Sequence, residues 1–178
     1  IKNATALEDA TKLNVVVFDK TGTLTLGSPK VVDTATAPGI RLDDLLKLAG
    51  SIEANSEHPL AKAILERAEG LAFEATSGFS NIEGQGARAD IGGMEILLGN
   101  TKLMEARKID WSGLKAESER LQGAGRTVVH VARGGSLLGF IAIADAVRPT
   151  SQATIAALRE RGVKVAMLTG DNAGTAAR

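Results

Sequence analysis

The residues best suited to chemistry form one short stretch, residues 19–25, which reads Asp-Lys-Thr-Gly-Thr-Leu-Thr. It follows an uncharged, mostly β-branched run at residues 15–18, which predicts a buried strand of a parallel sheet. Asp19 would then lie at the carboxyl end of a strand, where open α/β sheets bind ligands. A carboxylate followed by hydroxyl residues and a glycine suits a nucleophile that faces a phosphoryl group. The alternative interpretation is a surface turn that ends a strand.

A second stretch of the same character lies near the other end of the chain. Residues 163–168 predict another strand, followed by Thr169, Gly170 and Asp171. A right-handed crossover would place both strands in one parallel sheet, with both turns at the same edge. Asp19 could then attack a phosphoryl group in line, while the Thr169 hydroxyl and the glycine N–H groups bind its oxygens.

The negative charge gathered at such a site calls for a cation. An aspartate nucleophile and a phosphate tail repel each other, so we expect Mg²⁺ to neutralise them. Asp19 and a nearby backbone carbonyl, for which Thr21 is the candidate, would hold the ion.

Composition excludes several classes of protein. The chain of 178 residues carries 21 basic and 21 acidic residues, so it has no net charge to attract nucleic acid. It has no cysteine, which excludes disulfides and thiolate metal sites, and no apolar run long enough to span a bilayer. A start at Ile1 and an end at Arg178, soon after a glycine turn, suggest a piece of a longer protein.

The middle of the chain differs from its two ends. Helical spacing predicts helices over residues 42–52 and 59–68, and Gly-Gly pairs at 92–93 and 134–135 predict two β-hairpins. This pattern indicates an α+β module with an antiparallel sheet, inserted into an α/β domain. The predicted boundaries are residues 1–27 and 144–178 for the interrupted α/β domain, and 28–143 for the insertion.

Several residues of the insertion could bind a ligand or serve only the fold. His58 precedes Pro59 at a helix start, and from spacing alone a capping or half-buried residue is favoured over a ligand contact. Gly84 and Gly86 allow close approach of the backbone, but such glycines also mark bulges. Asn100 could face a ligand or cap a helix.

The chain carries five motifs whose order along the sequence resembles that in the cytoplasmic catalytic region of a P-type ATPase, within the haloacid dehalogenase-like superfamily. The motif at residues 56–60, Ser-Glu-His-Pro-Leu, narrows the resemblance to the heavy-metal-transporting branch. The other motifs are residues 19–25, Gly84-x-Gly86 with Gly99-Asn100, Asp145-x-x-Arg148-Pro149, and Thr169-Gly170-Asp171-Asn172.

The resemblance implies an incomplete α/β, Rossmann-like phosphorylation domain interrupted by a nucleotide-binding domain. Asp19 would accept the γ-phosphate of ATP, with Lys20, Thr21, Thr169, Gly170 and Asp171 at the same catalytic site. It also implies that the nucleotide is surrounded by Glu53, His58, Gly84, Gly86, Gly99 and Asn100, which reverses the preference that spacing alone gives for His58.

The resemblance also implies partners. These are ATP or ADP and, in the full-length membrane protein, its own transmembrane and actuator domains, with no nucleic acid. The fragment is expected to be cytoplasmic and monomeric. Copper or silver is the favoured cargo, although the residues that choose it lie in membrane segments.

The residue type at position 21, a threonine, favours a pump over a phosphatase. Related phosphatases usually place a second aspartate two residues after the nucleophile, where it activates the hydrolytic water. A threonine cannot do so near neutral pH, so an acyl phosphate on Asp19 should persist, as a pump requires. The alternatives are a soluble haloacid dehalogenase-like phosphatase with a large cap domain and a non-catalytic nucleotide sensor.

The family's Gly-Asp-Gly stretch and its phosphate-pairing lysine follow Thr169-Gly170-Asp171 in related chains, beyond Arg178 here. Lys164 lies within the preceding strand and is not a convincing substitute. We therefore expect the 178 residues alone to bind adenine nucleotide but to autophosphorylate poorly.

Overall fold

The computed structural model describes residues 13–168, except for the side chains of Lys20 and Thr21. These residues form two compact units. The first comprises residues 13–28 and 145–168, and the second comprises residues 29–144.

The first unit contains a parallel pair of strands. Strand β1 (Val15–Asp19) pairs with β8 (Lys164–Leu168) in a register that sets Asp19 beside Leu168. Helix α5 (Pro149–Glu160) immediately precedes β8 in the chain and packs on it. The parallel pairing predicted from the two end segments is therefore confirmed.

The expected burial of β1 is wrong for the described residues. Val15 is 44% exposed and Val17 is 61% exposed, whereas Val16 and Phe18 are only half-buried. Side chains alternate across a strand, so one face of this two-stranded sheet stays open in the part of the chain that the structure describes. A parallel strand becomes fully buried only when elements cover both of its faces.

The second unit is built on a six-stranded sheet. Its strands are β2 (Thr25–Thr36), β3 (Ser77–Ile82), β4 (Gly86–Ile91), β5 (Met94–Gly99), β6 (Thr127–Arg133) and β7 (Ser136–Val147). Its strand order is β2-β7-β6-β5-β4-β3, and the pairs from β3 to β7 are antiparallel. The two Gly-Gly turns have positive φ at both residues, which confirms the predicted hairpins β4–β5 and β6–β7.

Helices cover both faces of this sheet. Ile96 and Leu98 of β5 pack with residues of α1 (Leu42–Glu53) and α2 (Pro59–Arg67). Leu97, between them, faces the opposite side and packs with α3 (Thr101–Ala106). A 3₁₀ turn (Ser112–Leu114) and α4 (Lys115–Gly123) follow α3, and Leu114 and Leu121 pack with Val128 and Phe140. Helix α2 has one buried face, as its apolar spacing predicted, whereas every residue of α1 from Leu48 to Glu53 is buried, so α1 is covered on all sides at its end.

No helix in the range 13–168 combines the length and apolar character needed to cross a bilayer.

Candidate active site and nucleotide-binding site

Asp19 is an exposed carboxylate at the carboxyl end of β1. It makes no hydrogen bond or ion pair with the side chains that the structure describes. An exposed carboxylate can attack an electrophile or bind a cation. Of the other predicted catalytic residues, Thr169, Gly170 and Asp171 lie outside the described residues, and so do the side chains of Lys20 and Thr21.

Asp145 fixes the turn at residues 25–28, where β2 begins. This turn directly follows the π-helical segment Lys20–Leu24, which we call the Asp19 loop. Its Oδ2 accepts hydrogen bonds from the Thr25 hydroxyl at 2.5 Å and from the Gly27 N–H at 3.1 Å, and its Oδ1 accepts one from the Ser28 N–H at 3.1 Å. The Thr25 hydroxyl in turn accepts the Gly22 N–H at 3.1 Å. We call this arrangement the Asp145 clasp. It joins both ends of the turn to one carboxylate.

Arg148 holds the same loop through carbonyl groups. Its Nε donates to the Thr25 carbonyl and its Nη2 donates to the Gly22 carbonyl, each at 2.9 Å. The Leu24 carbonyl accepts the Arg148 N–H at 2.9 Å and the Ser151 hydroxyl at 2.8 Å. The motif Asp145-x-x-Arg148-Pro149 is recognisable in the sequence, but its spacing predicts no role at the site. The structure shows that it positions the segment after Asp19.

Four of the six residues predicted to surround a nucleotide are brought together. Gly86 and Gly99 are cross-strand partners in β4 and β5, and a β-carbon on either would meet backbone at 2.1 or 2.2 Å. The two strands therefore approach at this point more closely than any other residue type allows. Gly84 lies in the preceding turn, is exposed and has a φ of +65°, which glycine adopts readily.

Asn100 ties this glycine cluster to α3. Its side-chain oxygen accepts the Leu103 N–H at 3.2 Å, which makes Asn100 the N-cap of the helix. Its side-chain nitrogen donates to the Gly84 carbonyl at 2.8 Å. Of the two roles that the sequence left open, the structure shows the capping role. The cap also fixes the turn that carries Gly84.

Glu53 and His58 lie at the two ends of the connection between α1 and α2. His58 is exposed and caps α2, because its Nδ1 accepts the Leu60 N–H at 3.2 Å. This bond requires that the neutral ring carry its proton on Nε2, which has no partner among the described residues. His58 can therefore cap its helix and still donate to a ligand.

Glu53 is a buried carboxyl group, 7% exposed. Burial raises its pKa, and a hydrogen bond from Ser56 partly offsets that effect. No hydrogen bond within residues 13–168 joins Glu53 or His58 to the glycine cluster, although α1 packs on β4 and β5.

The part of the chain that the structure describes contains no group of three or more acidic or histidine residues that could form a metal cage. The exposed carboxylate of Asp19 is a ligand of the kind that Mg²⁺ takes. Mg²⁺ is commonly held by one or two carboxylates together with substrate phosphates and water.

His130 is a buried polar residue that sequence reasoning missed. It is the cross-strand partner of Gly99, is 0% exposed, and lies 3.2 Å from the Ser118 hydroxyl through Nε2. Its ring packs edge-on against Trp111 and Phe140. Burial lowers the pKa of His130 to about 4, against a smaller opposing effect of the Gly99 backbone. A lone histidine within an apolar strand was the only sequence signal for it.

The free energy of unfolding should fall as pH decreases from about 6.5 to about 4. In this range His130 is protonated in the unfolded chain but stays neutral in the folded chain. The difference between a pKa of 6.5 and one of about 4 corresponds to no more than about 3 to 4 kcal/mol of folding free energy. Glu53 acts in the opposite direction, since its raised pKa lets the folded chain bind a proton before the unfolded chain does.

Comparison of the wild type with His130→Leu separates the contribution of His130 to this pH dependence from that of Glu53. Urea unfolding, followed by the fluorescence of Trp111, should show a weaker pH dependence in the variant. Equal dependence in the two chains would contradict this assignment.

A family model described as a haloacid dehalogenase-like hydrolase matches residues 13–178. A copper-transporting P-type ATPase from Rhizobium leguminosarum bv. viciae is 43% identical over 178 residues, which are 99% of this chain and 21% of that protein. Other curated relatives, at 38% and 39% identity, are copper- and silver-exporting P-type ATPases. The chain spans about a fifth of the length of these relatives.

Two solved structures share the fold. A zinc-transporting PIB-type ATPase in the E2·Pi state is 37% identical with a TM-score of 0.70, over 99% of this chain and 29% of that one. The catalytic domain of the CPx-ATPase CopB-B, solved in a study of its conformational changes upon nucleotide binding, is 27% identical with a TM-score of 0.67. That match covers 97% of this chain and 59% of the other. The chain belongs to the haloacid dehalogenase-like hydrolase family, and its relatives there are copper-, silver- and zinc-transporting P-type ATPases.

Proposed function

We propose that the chain is the ATP-binding and phosphorylation region of a membrane heavy-metal pump, with Asp19 as the phosphoryl acceptor. The observation that carries the proposal is the exposed carboxylate of Asp19 at the carboxyl end of a parallel strand pair. A loop held by the Asp145 clasp and by Arg148 follows that carboxylate directly. The P-type ATPase relatives favour this function over a soluble phosphatase.

The two compact units support a division of labour. Residues 1–27 and 144–178 would form the phosphorylation domain, and residues 28–143 would form the nucleotide-binding domain. The insertion has its own sheet and its own core, so it can bind a ligand as a folded body.

The nucleotide would bind at the glycine cluster and the connection between α1 and α2. Gly84 and Gly86 leave exposed backbone that a flat base can approach closely. His58 offers an Nε2–H donor. The Glu53 carboxyl group offers a second hydrogen-bonding partner, and burial raises its pKa, which favours the protonated form. Gly99 and Asn100 would act mainly by holding the shape of this cluster.

Phosphoryl transfer would form a bond between a carboxylate oxygen of Asp19 and the γ-phosphorus, while the bond to ADP breaks. Bound Mg²⁺ would supply the positive charge that lets a carboxylate and a phosphate approach each other. Thr21 cannot act as a general base near neutral pH, so the acyl phosphate would persist. Lys20, Thr169, Gly170 and Asp171 complete the proposed catalytic set.

The cargo and partners follow from the relatives. Copper or silver is the proposed cargo, because curated relatives that match nearly the whole chain are copper and silver transporters. The transmembrane and actuator domains of the full-length pump would be the protein partners. The chain would face the cytoplasm and act as a monomer.

Calorimetric titration with ATP, ADP and GTP tests the nucleotide proposal. We expect binding that favours adenine nucleotides, and an affinity reduced about tenfold or more in His58→Ala, which loses the Nε2–H donor. That variant also loses the helix cap, so His58→Asn is the matched control, since asparagine caps well but lacks the imidazole. Lys62→Ala, an exposed position on the same helix, should bind normally. Wild-type affinity in His58→Asn would show that His58 is only a cap.

A further inference from the structure

An irregular segment braces the end of α1, just before the connection that carries the proposed nucleotide contacts. Residues 71–76, which we call the strap, have no regular secondary structure and run along the last turns of this helix. The ring of Phe73 lies directly on the backbone of Gly50, where a β-carbon would meet its Cε1 at 2.5 Å. The helix therefore has a glycine at the place where the strap crosses it.

A second contact anchors the strap one residue further on. Ser51 is 2% exposed, and its hydroxyl accepts the Glu74 N–H at 2.9 Å while donating to the Lys47 carbonyl at 2.7 Å. The Glu74 carboxylate lies 3.0 Å from the Lys47 ammonium group. Both the backbone and the side chain of Glu74 thus hold the strap against α1.

A third contact reaches the connection itself. The side-chain nitrogen of Asn55 donates to the Thr76 hydroxyl at 3.0 Å and to the Ser51 carbonyl at 3.2 Å. Asn55 lies between Glu53 and His58 in the chain, so this side chain joins the connection to both the helix and the strap. Asn55 is exposed, so its side chain does not contribute to the buried core of the domain.

We propose that Asn55 is a positioning residue for the nucleotide site, and that the strap acts through it. The pair Asn55–Thr76 fixes the path of the connection and so sets the spacing of Glu53 and His58, without either residue touching the ligand. This inference rests on the proposed nucleotide site. Loosening the pair should weaken nucleotide binding while leaving the core of the domain intact.

The experiment measures ATP affinity of the 178-residue chain by calorimetry. Asn55→Ala and Thr76→Val should each weaken binding about threefold to tenfold, the equivalent of one hydrogen bond. The double variant should be no weaker than the weaker single variant, because both substitutions break the same contact. Thr76→Ser keeps the hydroxyl and should restore wild-type affinity. Ser80→Ala, on β3, removes a hydroxyl that accepts a hydrogen bond from Arg88 Nε on β4, and this variant should bind ATP normally.

The outcomes separate this inference from the proposal beneath it. Absence of ATP binding in the wild-type chain would overturn both. Wild-type affinity in Asn55→Ala and Thr76→Val, or a loss in Thr76→Ser as large as in Thr76→Val, would overturn the positioning role alone. Additive losses in the double variant would also overturn it, since they would show that the two side chains act separately.

Discussion

Replacement of Gly86 by alanine is expected to destabilise the chain by about 3 kcal/mol or more and to abolish ATP binding. The β-carbon would lie 2.1 Å from the Leu98 carbonyl oxygen and 2.5 Å from the Gly99 α-carbon, and Gly86 has a φ of +145°. Both neighbouring atoms belong to backbone, so no side chain can move aside. Relief of the clash must separate β4 from β5 where they form the proposed nucleotide site. Urea unfolding and calorimetry measure the two effects.

Gly92→Ala is the matched control. Gly92 also has positive φ, +58°, but a β-carbon there would meet no atom within 4 Å. The control should lose only about 1 kcal/mol, the usual cost of the left-handed conformation, and should bind ATP normally. If Gly86→Ala were as stable as Gly92→Ala, the close approach of the two strands could not be the reason for this glycine.

Local patterns predicted the parts of the fold that depend on local physics. The Gly-Gly turns specify hairpins because both residues adopt positive φ, and Pro59 marks the start of α2 because its fixed φ suits a first helical position. The parallel pairing of β1 and β8 was also predictable, since a buried-type strand followed by a polar turn occurs at each end of the chain.

Contacts between residues distant in sequence were not predictable. The Asp145 clasp joins residues about 120 positions apart, so no spacing rule reveals that Asp145 binds the Thr25 hydroxyl. The burial of His130 also depends on neighbours, because an alternating strand pattern does not say which polar side chain will face a helix. For Val15 and Val17 burial was predicted, but both side chains are exposed among the described residues. An apolar strand sequence does not tell whether both faces of its sheet are covered.

Asn100 and His58 show how one residue can serve the fold and a ligand together. The sequence offered capping and ligand binding as alternatives for each. In the structure both residues are N-caps, and each cap uses only part of the side chain's hydrogen-bonding capacity. The remaining Nε2–H of His58 is the group that the nucleotide proposal needs.

Asp19→Asn is expected to eliminate acid-stable labelling of the chain by ATP, because an amide oxygen is far too weak a nucleophile to replace the carboxylate. The measurement incubates the chain with Mg²⁺ and γ-³²P-ATP, quenches in acid and counts the label retained by the protein. Asp43→Asn, at an exposed carboxylate on α1, is the matched control and should label as the wild type does. Calorimetry in parallel shows whether each chain binds ATP.

This labelling tests the assignment of Asp19 most directly. We expect the wild-type chain to take up little label, all of it on Asp19 and released by hydroxylamine as an acyl phosphate, and Asp19→Asn to take up none. Equal labelling of the wild type and Asp19→Asn, or label at another residue, would contradict the assignment of Asp19 as the phosphoryl acceptor.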